Sequence, residues 1–169
     1  MTVPLRYTTH PSPLGELLLT GPEPGLLAGV YFTGQRHAPA VHPGWRRDGT
    51  GFRAAAEQLD AYFAGELKEF ALYSAVTGTD FQRRVWAALD TIPYGSTVSY
   101  AELAATAGLP ARSARAVGGA VGRNPLTVVR PCHRVIGTGG SLTGYAGGTE
   151  RKRRLLTLEG VLGETPARR

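Results

Sequence analysis

Short apolar runs set between Gly and Pro clusters occupy the first third of the chain, and from residue 79 apolar positions recur every three or four residues. Residues 5–9 and 16–20 are β-prone runs separated by Pro11-Ser12-Pro13-Leu14-Gly15. After Gly21-Pro22-Glu23-Pro24-Gly25 a third run covers 26–33. Such runs, punctuated by turn residues, predict an antiparallel meander. Residues 34–51 are broken by Pro and Gly and read as a loop. Phe52, Ala56, Leu59 and Phe63 then recur at helical spacing, with Gly65 as a stop. They predict one helix able to cover a sheet face.

The second half reads as short helices. Thr79-x-x-Gln82 and Ser99-x-x-Glu102 are both capping-box patterns. The first opens a helix whose buried stripe is Phe81, Val85, Trp86 and Leu89, and Ile92-Pro93-Tyr94-Gly95 turns the chain. The second opens a helix ending near Gly108, and after Leu109-Pro110 another follows over 111–121. Two short helices joined by a Gly-containing turn read as helix-turn-helix. The second is low in bulk: Ala111, Ala114, Ala116, Gly118, Gly119 and Ala120 surround Arg112, Arg115 and Val117. A smooth face with Arg115 projecting suits either a neighbouring helix or the DNA minor groove. Residues 126–130 form a β-branched run, 137–148 a Gly-rich loop carrying Tyr145, and 149–159 a closing helix with Leu155, Leu156 and Leu158 apolar. The last five residues, 165–169, read as a frayed tail. The fold class is therefore α+β. An N-terminal domain at 1–78 combines an antiparallel sheet with a helix, and a mainly helical domain, like a winged helix or helix-turn-helix, covers 79–169.

Charge sharpens that division. Residues 1–78 carry six Lys/Arg against seven Asp/Glu, whereas residues 79–169 carry thirteen against six. Twelve of those thirteen cations are Arg, whose planar fork suits phosphate and base stacking. A basic half facing a polyanion is one reading, and a solvated basic face without a partner is the other. No apolar run approaches the roughly 18 residues of a membrane span, and no signal-peptide pattern opens the chain. A cytoplasmic protein follows as the expectation. The single cysteine excludes an internal disulfide and a four-cysteine metal site. His10, His37 and His42 lack ligand spacing, so no metal is expected.

That cysteine, Cys132, lies in Val129-Arg130-Pro131-Cys132-His133-Arg134-Val135. Nearby cations or a histidine lower a thiol's pKa and make it reactive, while a lone cysteine elsewhere packs as a small hydrophobe. Neighbouring side chains on an extended segment point to opposite faces, so His133 would reach the thiol through a water rather than directly. A carboxylate would then orient the imidazole. Glu159 is one candidate, which spacing alone does not select.

Pro131-Cys132-His133-Arg134-Val135 resembles the signature of the O6-alkylguanine-DNA alkyltransferases. Further matches are Thr97-Val98-Ser99-Tyr100, Arg115-Ala116-Val117-Gly118, Asn124-Pro125, Thr143-Gly144-Tyr145-Ala146-Gly147-Gly148, and Leu155-Leu156 with Glu159-Gly160. Ser12-Pro13-Leu14-Gly15 and Leu59-x-x-Tyr62-Phe63-x-Gly65 fit more loosely. The resemblance implies direct-reversal DNA repair, with one irreversible transfer from O6-alkylguanine, and from O4-alkylthymine, to Cys132. It implies His133 as the base acting through water, Glu159 holding His133, and Tyr100 as donor to the departing base. Arg115 would fill the gap left by a flipped nucleotide, with Ala114, Ala116, Gly118, Tyr100, Gln82 and Thr138 contacting DNA. Asn124 would brace the turn, and backbone groups of Cys132, Val135 and Ala146 would read the base beside Tyr145. The implied partner is double-stranded DNA approached from the minor groove. No cofactor is implied, and the protein would be a monomer able to bind DNA cooperatively. One departure is Arg130, where relatives carry an aliphatic residue; it would either lower the thiol pKa or point to solvent. The stretch from Tyr100 to Arg115 is also about one residue longer than in some relatives. A tryptophan in place of the cysteine would mark a non-catalytic relative, and a cysteine-rich zinc module a regulator; this chain has neither.

Overall fold

Strand β1 (Arg6–His10) and strand β2 (Leu17–Gly21) pair antiparallel, with Arg6 opposite Gly21 and His10 opposite Leu17. The computed structural model that shows this describes residues 4–163, and the expected frayed tail at 165–169 lies outside the described residues. The turn between the strands is closed by reciprocal Ser12–Gly15 backbone hydrogen bonds, each 3.1 Å, and by Ser12 Oγ on the Gly15 carbonyl. Strand β2 is buried along its whole length because it is an inner strand, and its Leu17-Leu18-Leu19 run reads accordingly.

The expected third strand divides. Residues Leu26–Leu27 form β3, and Gly29–Phe32 form β4, which pairs antiparallel with β2. Strand β3 turns away to run parallel to β6 (Tyr73–Ser74). A Cβ at Gly21 would lie 2.0 Å from the Leu26 carbonyl oxygen, so the chain passes itself here only without a side chain. The expected loop at 34–51 also contains structure. Strand β5 (Arg46–Arg47) joins β1 in parallel, and a 3₁₀ turn spans Thr50–Phe52. The order β4-β2-β1-β5 is thus a mixed sheet, not the purely antiparallel one the punctuation suggested.

Helix α1 (Arg53–Phe63) covers the sheet with Phe52, Ala55, Leu59 and Tyr62. The stripe is rotated from the predicted Ala56 and Phe63, because Tyr62 turns its hydroxyl inward to a buried carboxylate. Each large apolar side chain so buried stabilises the fold by about 1.5–3 kcal/mol.

Helix α2 (Asp80–Leu89) is closed by its capping box, Thr79 Oγ1 accepting from the Gln82 N–H and Gln82 Oε1 from the Thr79 N–H. Val85, Trp86, Ala88 and Leu89 are buried, but Phe81 on the first turn is 36% exposed and leaves the predicted stripe. Helix α3 (Tyr100–Thr106) has the second capping box, and a 3₁₀ turn at Ala111–Ser113 leads into α4 (Ala114–Gly122). Trp86 Nε1 donates to the Ala120 carbonyl at 2.9 Å, tying α2 to the small-residue helix. Val117, Ala120 and Val121 face inward while Arg115 and Ala116 face out, so α4 is both a packing helix and a surface. Residues 126–130 form no strand. They add one bridge to the N-terminal sheet, where the Val30 N–H donates to Pro125 and the Thr127 N–H to Val30. Strands β7 (Val98–Ser99) and β8 (Val135–Ile136) pair in parallel and set the start of α3 beside the cysteine turn. Helix α5 (Thr149–Leu158) closes the fold with Leu155 and Leu156 buried. One continuous apolar cluster runs from Leu17 through Leu59 to Val117 and Leu155.

Candidate active site

Cys132 is held by a strained and heavily braced segment. Val128 has φ +71, a left-handed conformation that costs a β-branched residue on the order of 1–3 kcal/mol. Asn124 holds the loop in that shape. Its Nδ2 donates to the Leu126 and Arg130 carbonyls at 3.3 and 3.2 Å, and its Oδ1 accepts from the Leu126 N–H at 3.0 Å. The Arg130 N–H closes on Leu126 O at 2.8 Å, and the Cys132 N–H on Arg130 O at 2.8 Å. Residues Cys132–Arg134 then form a 3₁₀ turn, not the extended segment predicted. Successive side chains are therefore separated by roughly 120° rather than set on opposite faces.

The thiol is buried, 4% exposed, and burial pushes its pKa up. The Asn124 amide, the Lys152 ammonium and Arg130 pull the other way without prevailing. Cation-driven lowering is thus not the resting state: Cys132 is a thiol that has to be deprotonated. His133 lies beside it, fully buried, with its own pKa lowered by desolvation against the pull of Glu159. Its Nε2 lies 2.7 Å from Glu159 Oε2. A carboxylate can only accept, so the proton is on Nε2 and the Nδ1 lone pair is bare. That Nδ1 has no protein hydrogen-bond partner. A neutral imidazole with a free acceptor next to a thiol is a general base.

Glu159, at the end of α5, has both oxygens committed. Arg134 grips it as a fork, Nε on Oε1 at 2.7 Å and one terminal nitrogen on Oε2 at 3.0 Å, while its other terminal nitrogen donates to the Ile92 carbonyl. Tyr62 Oη donates to Oε2 at 2.6 Å. Burial would raise this carboxyl, but the His133, Arg134 and Tyr62 hydrogen bonds hold it at about 2.

Lys152 is fully buried, its ammonium donating to the Val135 carbonyl and lying 6.0 Å from the Tyr145 ring centroid. Burial lowers it to about 8 against the opposing pull of Cys132. Tyr145 is buried beside it with an unpartnered hydroxyl. Val135 uses its N–H on the Cys132 carbonyl, and the Ala146 carbonyl accepts from the Arg36 N–H.

A cavity of about 900 Å³ is lined by Tyr100, Ala114, Arg115, Gly118, Thr138 and Ala146, whereas Cys132, Val135 and Tyr145 do not line it. Arg36, His37 and Arg123 also line it. Tyr100, the first residue of α3, lies against Gly118 and Gly144. At Gly144, with φ +89, a Cβ would stand 3.1 Å from the Tyr100 hydroxyl, so a glycine there leaves room for it. Gln82 does not line this cavity, since its side chain is used in the α2 cap, and Ala116 is exposed on α4 beside it. Arg130 neither lines the cavity nor simply points to solvent: it lies 5.5 Å over the Trp86 ring and pairs with Asp90 at 3.2 Å.

Sequence alone does not single out Arg134, Tyr62 or Lys152. Arg134 lies inside Pro131-Cys132-His133-Arg134-Val135 and Tyr62 inside Leu59-x-x-Tyr62-Phe63-x-Gly65, but neither motif names a partner. Lys152 sits in Arg151-Lys152-Arg153-Arg154, where charge pattern alone predicts solvent. Arg36 and His37 lay in the stretch read as a loop. Among the described residues no group of three or more His, Cys, Asp or Glu is placed to hold a metal ion.

Comparison with known proteins gives a consistent picture. The family model described as 6-O-methylguanine DNA methyltransferase, ribonuclease-like domain, matches residues 5–73, and that described as its DNA binding domain matches residues 80–161. A methylated-DNA–protein-cysteine methyltransferase of Mycolicibacterium paratuberculosis is 51% identical over 155 residues, 92% of each chain. One of Methanosarcina acetivorans is 48% identical, covering 91% of this chain and 97% of its own. The crystal structure of Mycobacterium tuberculosis OGT in complex with DNA superposes with a TM-score of 0.84 at 50% identity, over 91% of this chain and 92% of that one.

Proposed function

The chain belongs to the 6-O-methylguanine DNA methyltransferase family, and from that premise we propose that it repairs alkylated DNA by moving the alkyl group of O6-alkylguanine onto Cys132. The carrying observation is the chain of contacts behind the thiol: His133 with a bare Nδ1, fixed through Nε2 by a Glu159 that is itself anchored by hydrogen bonds from Arg134 and Tyr62.

DNA enters along α4 by its minor groove. Ala114 and Gly118 let the backbone come close, and Arg36, Arg115 and Arg123 around the cavity attract phosphate. The target nucleotide leaves the stack, at a cost of a few kcal/mol, because its O6 substituent is unreachable inside the duplex. Arg115, exposed on α4, fills the gap. Thr138 meets the backbone at the cavity rim, and the base enters between Tyr145 and the Ala146 segment. Gln82, in the first turn of α2, contacts the flank of the duplex.

Chemistry then needs a thiolate. The Sγ proton passes through one water to His133 Nδ1, and the imidazolium is stabilised by Glu159. The sulfur attacks the alkyl carbon, the S–C bond forms, and the C–O6 bond breaks with its electrons going to guanine. Tyr100 donates a proton to the departing base, so it leaves neutral. Lys152 and the Asn124 amide face the developing thiolate and offset part of the burial that keeps it protonated at rest. The thioether has no route back to a thiol, so each molecule acts once and no cofactor takes part. The same displacement serves O4-alkylthymine.

We assign residues 1–78 to a supporting domain and 79–169 to the domain that binds DNA and accepts the alkyl group. No helix among the described residues is long and apolar enough to cross a membrane, and we place the protein in the cytoplasm, working as a monomer that can load cooperatively on DNA. The test is intact-mass analysis after incubation with a duplex containing O6-methylguanine. One methyl should appear in place of the thiol hydrogen and map to Cys132; an unmodified protein, or a methyl mapped elsewhere, would refute the assignment.

A further inference from the structure

Among the described residues, the one hydrogen bond that leads from the N-terminal sheet domain into the proton-transfer chain comes from Tyr62, on α1, ninety-seven residues from the carboxylate it touches. The hydroxyl donates to Glu159 Oε2 at 2.6 Å, the same oxygen that accepts from His133 Nε2 at 2.7 Å. We infer that Tyr62 is a positioning residue for alkyl transfer: it fixes the oxygen of Glu159 that holds His133, and so makes the N-terminal domain a working part of the proton relay. This rests on the reading of Cys132, His133 and Glu159 given above.

The geometry favours a fixed donor over a convenient one. Tyr62 is fully buried, and its ring is boxed by Phe63, Phe70 and Tyr94 at centroid distances of 5.3, 5.3 and 6.4 Å. A phenol has few torsions to lose, and this one has no room to turn, so its hydroxyl approaches Glu159 from one direction. Arg134 holds Glu159 from another, across both oxygens. With two anchors the carboxylate cannot rotate about its last torsion, and the imidazole inherits that fixity. The hydroxyl also draws charge from Oε2. The carboxylate then supports an imidazolium when one forms without raising the resting imidazole into its protonated state. The ionisable groups facing this carboxylate are His133 and Arg134 from the cysteine turn, Tyr62 from α1, Tyr94 from the loop after α2, and Tyr145 from the Gly-rich loop, with Lys152 of α5 beside His133.

Tyr62→Phe keeps the ring and removes only the hydroxyl. Single-turnover transfer from free O6-benzylguanine isolates chemistry from DNA binding, and the wild type run alongside must place the benzyl group on Cys132. If it does not, the underlying reading fails, whatever the variant does. Given that it does, the variant should transfer about tenfold more slowly. The acid limb of its pH–rate profile should also move to higher pH, because a less encumbered Glu159 makes His133 more basic. A purely structural tyrosine would lower the active fraction and leave the limb where it was. Should the phenylalanine variant not fold, 3-fluorotyrosine at position 62 retains the bond and strengthens the donor, and the limb should move to lower pH. An unmoved limb in whichever of these folds overturns the inference.

Discussion

The two halves of the molecule bury different things. In residues 4–78 the buried polar side chains are Thr20 and Gln35, and the buried apolar ones are Leu, Val, Phe, Tyr and Ala. In the second half the interior also holds Asn124, His133, Arg134, Lys152 and Glu159. A buried charge is tolerated only when paired, and breaking such a pair from one side costs about 3–5 kcal/mol. The first half is therefore a frame tolerant of like-for-like exchange, with the exception of Tyr62, whose hydroxyl reaches Glu159 in the other half. The second is a polar network in which each member answers for the others. Buried side-chain atoms without a hydrogen-bond partner among the described residues, Arg130 Nη1, His133 Nδ1 and the Tyr145 hydroxyl, all belong to this half. The contrast puts most of the candidate residues in the half that is harder to stabilise.

Substitutions should separate the halves by their effect on transfer rate. Cys132→Ala should abolish transfer altogether while duplex binding, followed by fluorescence anisotropy, persists; residual transfer would mean a second acceptor. Glu159→Gln should slow transfer about a hundredfold, measured as a single turnover, since it releases the base from its tautomer and orientation. The same variant should lose about 3–5 kcal/mol in denaturant unfolding, because Arg134 is left buried without its partner. It should also lose a pH dependence. Glu159 is held at about 2 against an ordinary 4.5, so its contribution to stability is complete above the ordinary value and disappears as pH falls toward the lower one. Wild-type melting temperature should drop through that window more steeply than that of Glu159→Gln.

Arg115→Ala should slow repair of duplex DNA about tenfold while leaving reaction with the free alkylated base unchanged, because the side chain assists flipping and not chemistry. Its duplex affinity should fall less steeply with salt, by about one unit of logarithmic slope. Equal losses on duplex and free base would remove the flipping role. Leu19→Ala, at the centre of the first-half sheet, should cost about 2–5 kcal/mol of stability by calorimetry and leave the rate of the folded fraction unaltered. A change in rate there would erase the distinction between frame and network.

How far sequence led depended on the range of the interaction. Capping boxes at Thr79 and Ser99 are local, four-residue patterns, and both helices begin where they indicate. The Gly/Pro punctuation located β1 and β2 to within a residue. Strand β5 escaped because two exposed arginines have no apolar signal, and pairing with β1 alone makes them a strand. The α1 stripe was misplaced by one residue since Tyr62 and Phe63 are equally plausible by spacing, and only the distant Glu159 distinguishes them. Motif matching named Cys132, His133 and Glu159, but the turn that carries the first two is bent by Val128 and Asn124, which no periodicity reveals. Lys152 was hidden by its own charge. Its burial depends on the Val135 carbonyl and the Tyr145 ring, both supplied by tertiary structure.

A titration of protein against a fixed excess of O6-methylguanine duplex tests most directly whether one thiol takes one alkyl group and is spent. Repaired DNA should rise to one equivalent per protein molecule and stop there, with Cys132 no longer reactive toward iodoacetamide. Repair that continues past one equivalent, or a plateau reached with Cys132 still free, would contradict the account.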